Sequence, residues 1–132
     1  MMRTFMLSIL ITSSPVFAGD WVMLPVPDPV TTAAGETFFV DPDIGTSGKW
    51  PVIHTLRNYR QPTARGHASD SMVCEVDCNQ GLIRAVGGAF YSGLMGKGAV
   101  EPWNRHTPWA RPAADTALEK VLQYACTEKK SQ

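Results

Sequence analysis

The segment SMVCEVDCNQGLIRAV, Ser71 to Val86, decides the architecture. Met72, Cys74, Val76 and Cys78 alternate onto one face, the two-residue period of a half-buried strand. Asn79-Gln80-Gly81 then reads as a turn, and Leu82 to Val86 returns as a second apolar arm. The segment is therefore a β-hairpin. Phe90-Tyr91 extends its second arm past a bulge expected at Gly87-Gly88.

Upstream of the hairpin, Trp50 to Arg60 is the longest strand candidate, alternating Val52, His54 and Leu56 against Ile53, Thr55 and Arg57. The polar stretch Gln61 to Asp70, with its proline and glycine, reads as a mobile connection. Thr37 to Asp41 is another strand, with Phe38 and Val40 on one face and Phe39 on the other. Pro42 and Gly45-Thr46-Ser47-Gly48 follow it as a loop. Trp21 to Leu24 is a short first strand closed by Pro25, Pro27 and Pro29. Downstream, Gly93 to Gly98 is a turn and Ala99 to Trp103 a last strand.

The period then changes. Thr116-Ala117-Leu118-Glu119 has the form of a capping box, in which hydroxyl and carboxylate each serve an orphan amide. Leu118, Val121, Leu122 and Ala125 follow at helical spacing, with Cys126 at the edge of their face. The order expected is α+β, six strand candidates followed by a C-terminal helix. No internal repeat interrupts this order.

The N-terminus is set apart. Arg3 precedes a mostly apolar run, Phe5 to Ala18, that ends with the small residues Val16 and Ala18 at the −3 and −1 positions of a cleavage site. Residues 1–18 are expected to be a secretory signal peptide, since a membrane anchor needs about 20 apolar residues. No cysteine follows the cleavage site, so a lipid anchor is not expected. The domain then covers residues 19–126, and 127–132 form a polar, flexible tail. Twelve basic and twelve acidic side chains balance among 132 residues, which excludes a strongly basic nucleic-acid binder. At 44% apolar and 9% aromatic the chain is too hydrophobic for intrinsic disorder. Nothing after the leader is long and apolar enough to span a bilayer. The expected location is the periplasm, the medium or the cell surface.

Export makes disulfides stable, and the chain has three cysteines, Cys74, Cys78 and Cys126. Four residues of strand separate Cys74 and Cys78 by about 13 Å, whereas a disulfide needs Cα atoms within about 7 Å. Cys126 must therefore pair with one of the two. The turn after Cys78 favours that residue, because it stands at a strand end within reach of a terminal helix. Cys74 would then be a buried, inert thiol.

These residues in this order carry a resemblance. A Trp-led first strand is followed by Thr37-Phe38-Phe39-Val40-Asp41 and a strand ending near Asn58-Tyr59. Glu75-Val76-Asp77-Cys78, Leu82-Ile83-Arg84, Tyr91-Ser92, a glycine turn, Pro112 and a helix ending in Cys126 complete the pattern. From Trp21 to Cys126 the chain resembles the bacterial surface-adhesin protein E family. The resemblance implies a six-stranded antiparallel sheet tied to its helix by Cys78–Cys126. It also implies a non-enzymatic module that binds host extracellular-matrix or serum proteins. The family's named member is lipid-anchored, and this chain lacks the lipidation cysteine. The alternative, from a different class, is a soluble periplasmic accessory or inhibitor protein of the cell envelope.

No catalytic residue, cofactor or metal is expected. His67, Ser69 and Asp70 are ingredients of a hydrolytic triad, but they crowd one polar loop, and no Gly-x-Ser-x-Gly elbow occurs. Gly96-Lys97 lacks the surrounding residues of a phosphate loop. A zinc site from Cys74, Cys78 and His67 competes poorly with a disulfide in an oxidising compartment. The candidate binding residues are Trp103, Arg105, His106, Trp109 and Arg111, set among prolines. Tryptophan and arginine are frequent interface anchors, and proline lowers the entropy cost of presenting them. For Trp109, packing under the helix as core is the stronger expectation, while for Trp103 core and interface stand level. Arg57, Arg60 and Arg65 are a further candidate as a modest basic patch.

Overall fold

The computed structural model describes residues 20–25 and 36–131, so the expected leader, residues 1–18, lies outside the described residues. The strands are β1 (Val22–Leu24), β2 (Thr37–Val40), β3 (Gly45–Ser47), β4 (Trp50–Asn58), β5 (Ser69–Asp77), β6 (Leu82–Tyr91) and β7 (Val100–Trp103). One helix, α1 (Ala117–Ser131), follows them. The strands form a single antiparallel sheet in the order β1-β2-β4-β5-β6-β7, with β3 also on β4. This is the expected α+β architecture with one additional strand. Gly45–Ser47, read from sequence as loop, pairs with Trp50–Val52 across a turn at Gly48-Lys49. Its three small polar residues are all exposed and carry no apolar alternation that would mark a strand.

The Ser71–Val86 hairpin forms the sheet centre. Its turn is fastened by Asp77, whose Oδ1 accepts the amide protons of Asn79 and Gln80, both at 3.1 Å. Gly81 adopts φ +71°, a conformation that favours glycine, and donates its N–H to the Asp77 carbonyl. The bulge falls one place earlier than expected: Val73 faces Gly87 and Cys74 faces Ala85, leaving Val86 as the extra residue. The glycines have another use, because Gly88 lies opposite Trp103 and a Cβ there would stand 2.8 Å from the indole ring. The strand also begins earlier. Ser69 and Asp70, expected in a mobile loop, are buried members of β5, each with hydrogen-bond partners.

Register assigns the two faces. Val40, Ile53, Cys74, Val76, Ile83 and Ala85 point to the helix and pack with Val121 and Ala125 as the main core. Leu56, Ala89 and Tyr91 form a smaller cluster on the far face, joined by Trp21, Phe39 and Met95. Met95 sits in the short turn Leu94–Gly96, anchored when Asn58 Oδ1 accepts its N–H at 2.8 Å. The edge of β6 is occupied throughout its length. Beyond β7, Thr107 and Ala110 hydrogen-bond Ala85 and Ile83, so residues 107–110 run alongside as an eighth, irregular rung.

The helix starts as its capping residues dictate, with a small change of partner. Thr116 Oγ1 accepts the Glu119 N–H at 3.3 Å, while the Glu119 carboxylate accepts the N–H of Asp115 rather than that of Thr116. The Cys78–Cys126 disulfide joins the end of β5 to the helix with Cα atoms 5.7 Å apart, and Cys74 is free and buried. The helix runs on through Ser131, past the boundary at which a flexible tail was expected to begin.

Candidate functional site

The five candidate binding residues do not form one surface. Trp103 ends β7 on the helix side, packed against the main core over Gly88. Trp109 is not under the helix. The antiparallel bridge Ile83–Ala110 sets it beside Arg84, on the face that the helix leaves uncovered. Arg105 and His106 are exposed on the connection between β7 and that bridge. Arg111 is exposed on the helix side, with its guanidinium beside Gly81. Alternating backbone direction explains the split: neighbours in a segment that hugs a strand edge take opposite faces.

Around Trp109 the structure assembles residues that sequence spacing did not group. Its ring meets that of Trp50 at 4.9 Å between centroids and 59° between planes. Arg84 lies over Trp109 at 4.4 Å and Lys49 over Trp50 at 4.6 Å, both within cation–π range. Arg84 also pairs across the hairpin with Glu75, Nε donating at 2.8 Å and Nη2 lying 2.6 Å from Oε1. Glu75 is only 7% exposed, so this pair removes the cost of a solitary buried carboxylate. The result is a two-tryptophan, two-cation patch standing on β4 and β6. Lys49-Trp50 is visible in sequence, but its meeting with Trp109 depends on three strand registers.

The helix side holds a groove. Its volume is about 860 Å³, and it lies between the first turns of α1, residues 107–113 and the sheet. Phe38, Met72, Cys74, Ile83 and Val121 supply its apolar surface. Burial pushes the Cys74 thiol up to about 12, so it is an unreactive part of this wall at neutral pH. At the β2 end stands a polar cluster. Arg57 and Asp70 face each other across β4 and β5, with Arg57 Nε donating to Oδ1 at 3.3 Å and Nη2 to Oδ2. Arg57 also donates to Glu36 at 3.4 Å and to the Tyr59 hydroxyl at 3.3 Å. The Tyr59 hydroxyl donates to Asp70. Burial alone would lower the Arg57 pKa, but the hydrogen bond and charge of Asp70 outweigh it and hold the guanidinium ionised. Burial, and then the hydrogen bond to Asp70, push the Tyr59 phenol up to about 12.

The triad ingredients stay apart. His67 Nε2 lies 2.7 Å from Glu101 and its ring stacks on Phe90 at 4.8 Å. Ser69 Oγ donates to the Gly93 carbonyl and accepts the Gly96 N–H, while Asp70 is held by Arg57 and Tyr59. Ser69 and Asp70, adjacent in a strand, point to opposite faces. Arg57 and Arg65, two members of the candidate basic patch, are both paired with carboxylates. Arg57 is neutralised by Asp70 and Glu36, and Arg65 pairs with Glu101 at 2.8 Å. No helix among the described residues is long and apolar enough to cross a membrane.

A sheet of antiparallel strands, a helix pinned to it by a disulfide, and an aromatic–cation patch on the face opposite that helix define the class, a small disulfide-tied α+β module. The chain matches the family model of surface-adhesin protein E over residues 21–127 and belongs to that family. Comparison with curated proteins and with solved structures finds no match.

Proposed function

We propose that this chain is an exported, non-enzymatic binding module that recognises an extracellular protein of a host, matrix or serum in origin. The Trp50–Trp109 pair carries the reading, because it is flanked by Arg84 and Lys49 and backed by regular strands on the face opposite α1. Large aromatic rings and arginine supply most of the binding energy at protein interfaces, and a fixed backbone reduces the entropy lost on docking. Membership of the surface-adhesin family supports a protein partner.

The test has two parts. Protease shaving of intact cells, run beside osmotic release of the periplasm, places the native protein. Purified protein is then titrated onto immobilised matrix and serum proteins, with Trp109→Ala as the patch variant. Removal by shaving and binding that Trp109→Ala weakens about tenfold or more are expected, the loss of one aromatic anchor. Release only with the periplasm overturns adhesion and favours an accessory protein of the envelope.

A further inference from the structure

The groove on the helix side belongs to a different face from the aromatic patch. Its volume of about 860 Å³ falls within the range of small-molecule sites, and its walls are mainly apolar with polar groups at the ends. It crosses β2, β4, β5 and β6, three inter-strand spacings or about 14 Å. The shape therefore suits an extended chain better than a compact ring. The ends differ in charge. At the β2 end Glu36 and Asp70 outnumber Arg57, whose donors they already occupy. At the β6 end the Arg84 guanidinium is turned to the opposite face with Glu75 and Trp109, and Arg111 takes part in none of the ion pairs among the described residues. An anion is thus repelled from one end and met by a free guanidinium at the other.

We propose that this groove binds a free single-chain carboxylic acid, with the carboxylate on Arg111 and the hydrocarbon along Ile83, Cys74, Met72 and Phe38. Guanidinium suits this head group because its donors match a carboxylate in a paired, planar fashion. The apolar floor accepts any saturated chain of fitting length, so recognition is by class. The occupant is a free acid, because one span of about 14 Å with one unpaired guanidinium at its end matches one chain and one head group.

The experiment uses the full mature chain and isothermal titration calorimetry with three probes of equal chain length: laurate, dodecanol and dodecyltrimethylammonium. One laurate per chain is expected, bound at least about tenfold more tightly than the alcohol and more tightly still than the cation, since one charge-assisted contact supplies that ratio. Arg111→Gln should remove the advantage of laurate and leave dodecanol unchanged. Ala113→Trp, at the exposed rim, should block all three probes without touching the core. Equal binding of laurate and dodecanol, or laurate binding unaffected by Arg111→Gln or by Ala113→Trp, overturns the proposal. Co-sedimentation with phosphatidylglycerol vesicles that laurate does not compete overturns it in favour of a membrane surface.

Discussion

Two single residues govern how this protein responds to alkali. The Cys74 thiol, buried against Val76 and Val121, ionises near 12 instead of its ordinary value near 9.0. The Tyr59 phenol, partly buried and hydrogen-bonded to Asp70, is pushed up to about 12 from 10.0. Both folded-state values are raised, so both groups hold their protons longer in the folded chain than in the unfolded one. Their contribution to stability is complete below the unfolded values and is lost as pH climbs toward 12. Urea denaturation followed across this interval should show stability falling from about pH 9 upward. Cys74→Ala should flatten the first part of the fall and Tyr59→Phe the later part. A third residue, Arg84, shows what a buried charge demands. Arg84→Ala strands the Glu75 carboxylate and should cost about 3 kcal/mol, whereas the double variant Arg84→Ala with Glu75→Gln should recover much of it. Chemical denaturation of both variants reads the difference.

At the scale of elements, the helix depends on a covalent tie. α1 rests on the sheet through Val121, Ala125 and the partly buried Leu122 and Tyr124, a modest contact for fifteen residues. The Cys78–Cys126 bond closes a separation of 48 residues, worth about 4 kcal/mol by loop-closure entropy. Replacing both cysteines with alanine should lower the urea midpoint accordingly, and peptide mapping of the oxidised native chain should recover Cys78 linked to Cys126 with Cys74 alkylated only after denaturation. The hairpin centred on Asn79–Gly81, the main strands and the helix start were all legible from local pattern. β3 was not, because Gly45-Thr46-Ser47 is exposed on both faces and shows no period. The start of β5 was hidden for a related reason: Ser69 and Asp70 look like loop residues until their partners Gly93, Gly96, Arg57 and Tyr59 are brought to them.

At the scale of the molecule, one helix covers one part of one face. That geometry leaves an aromatic patch on the far side and a groove beside the helix, two surfaces of different chemistry on a single small sheet. The candidate residues between Trp103 and Arg111 are neighbours in sequence but do not share one face. The segment runs along the edge of β6, so its side chains divide between core, far face and groove rim.

The sequence by itself determined the strand hairpin, the helix with its cap, the cysteine pairing and the family, because each rests on local periodicity, on chain reach or on a residue order preserved along the chain. Only the tertiary structure decided which side chains meet. Trp50 with Trp109 and Glu75 with Arg84 meet through strand register, set by Val52 opposite Glu75, Glu75 opposite Arg84 and Ile83 opposite Ala110. Shifting a strand by one residue exchanges its faces, and no local pattern records how far each strand has slid against the next.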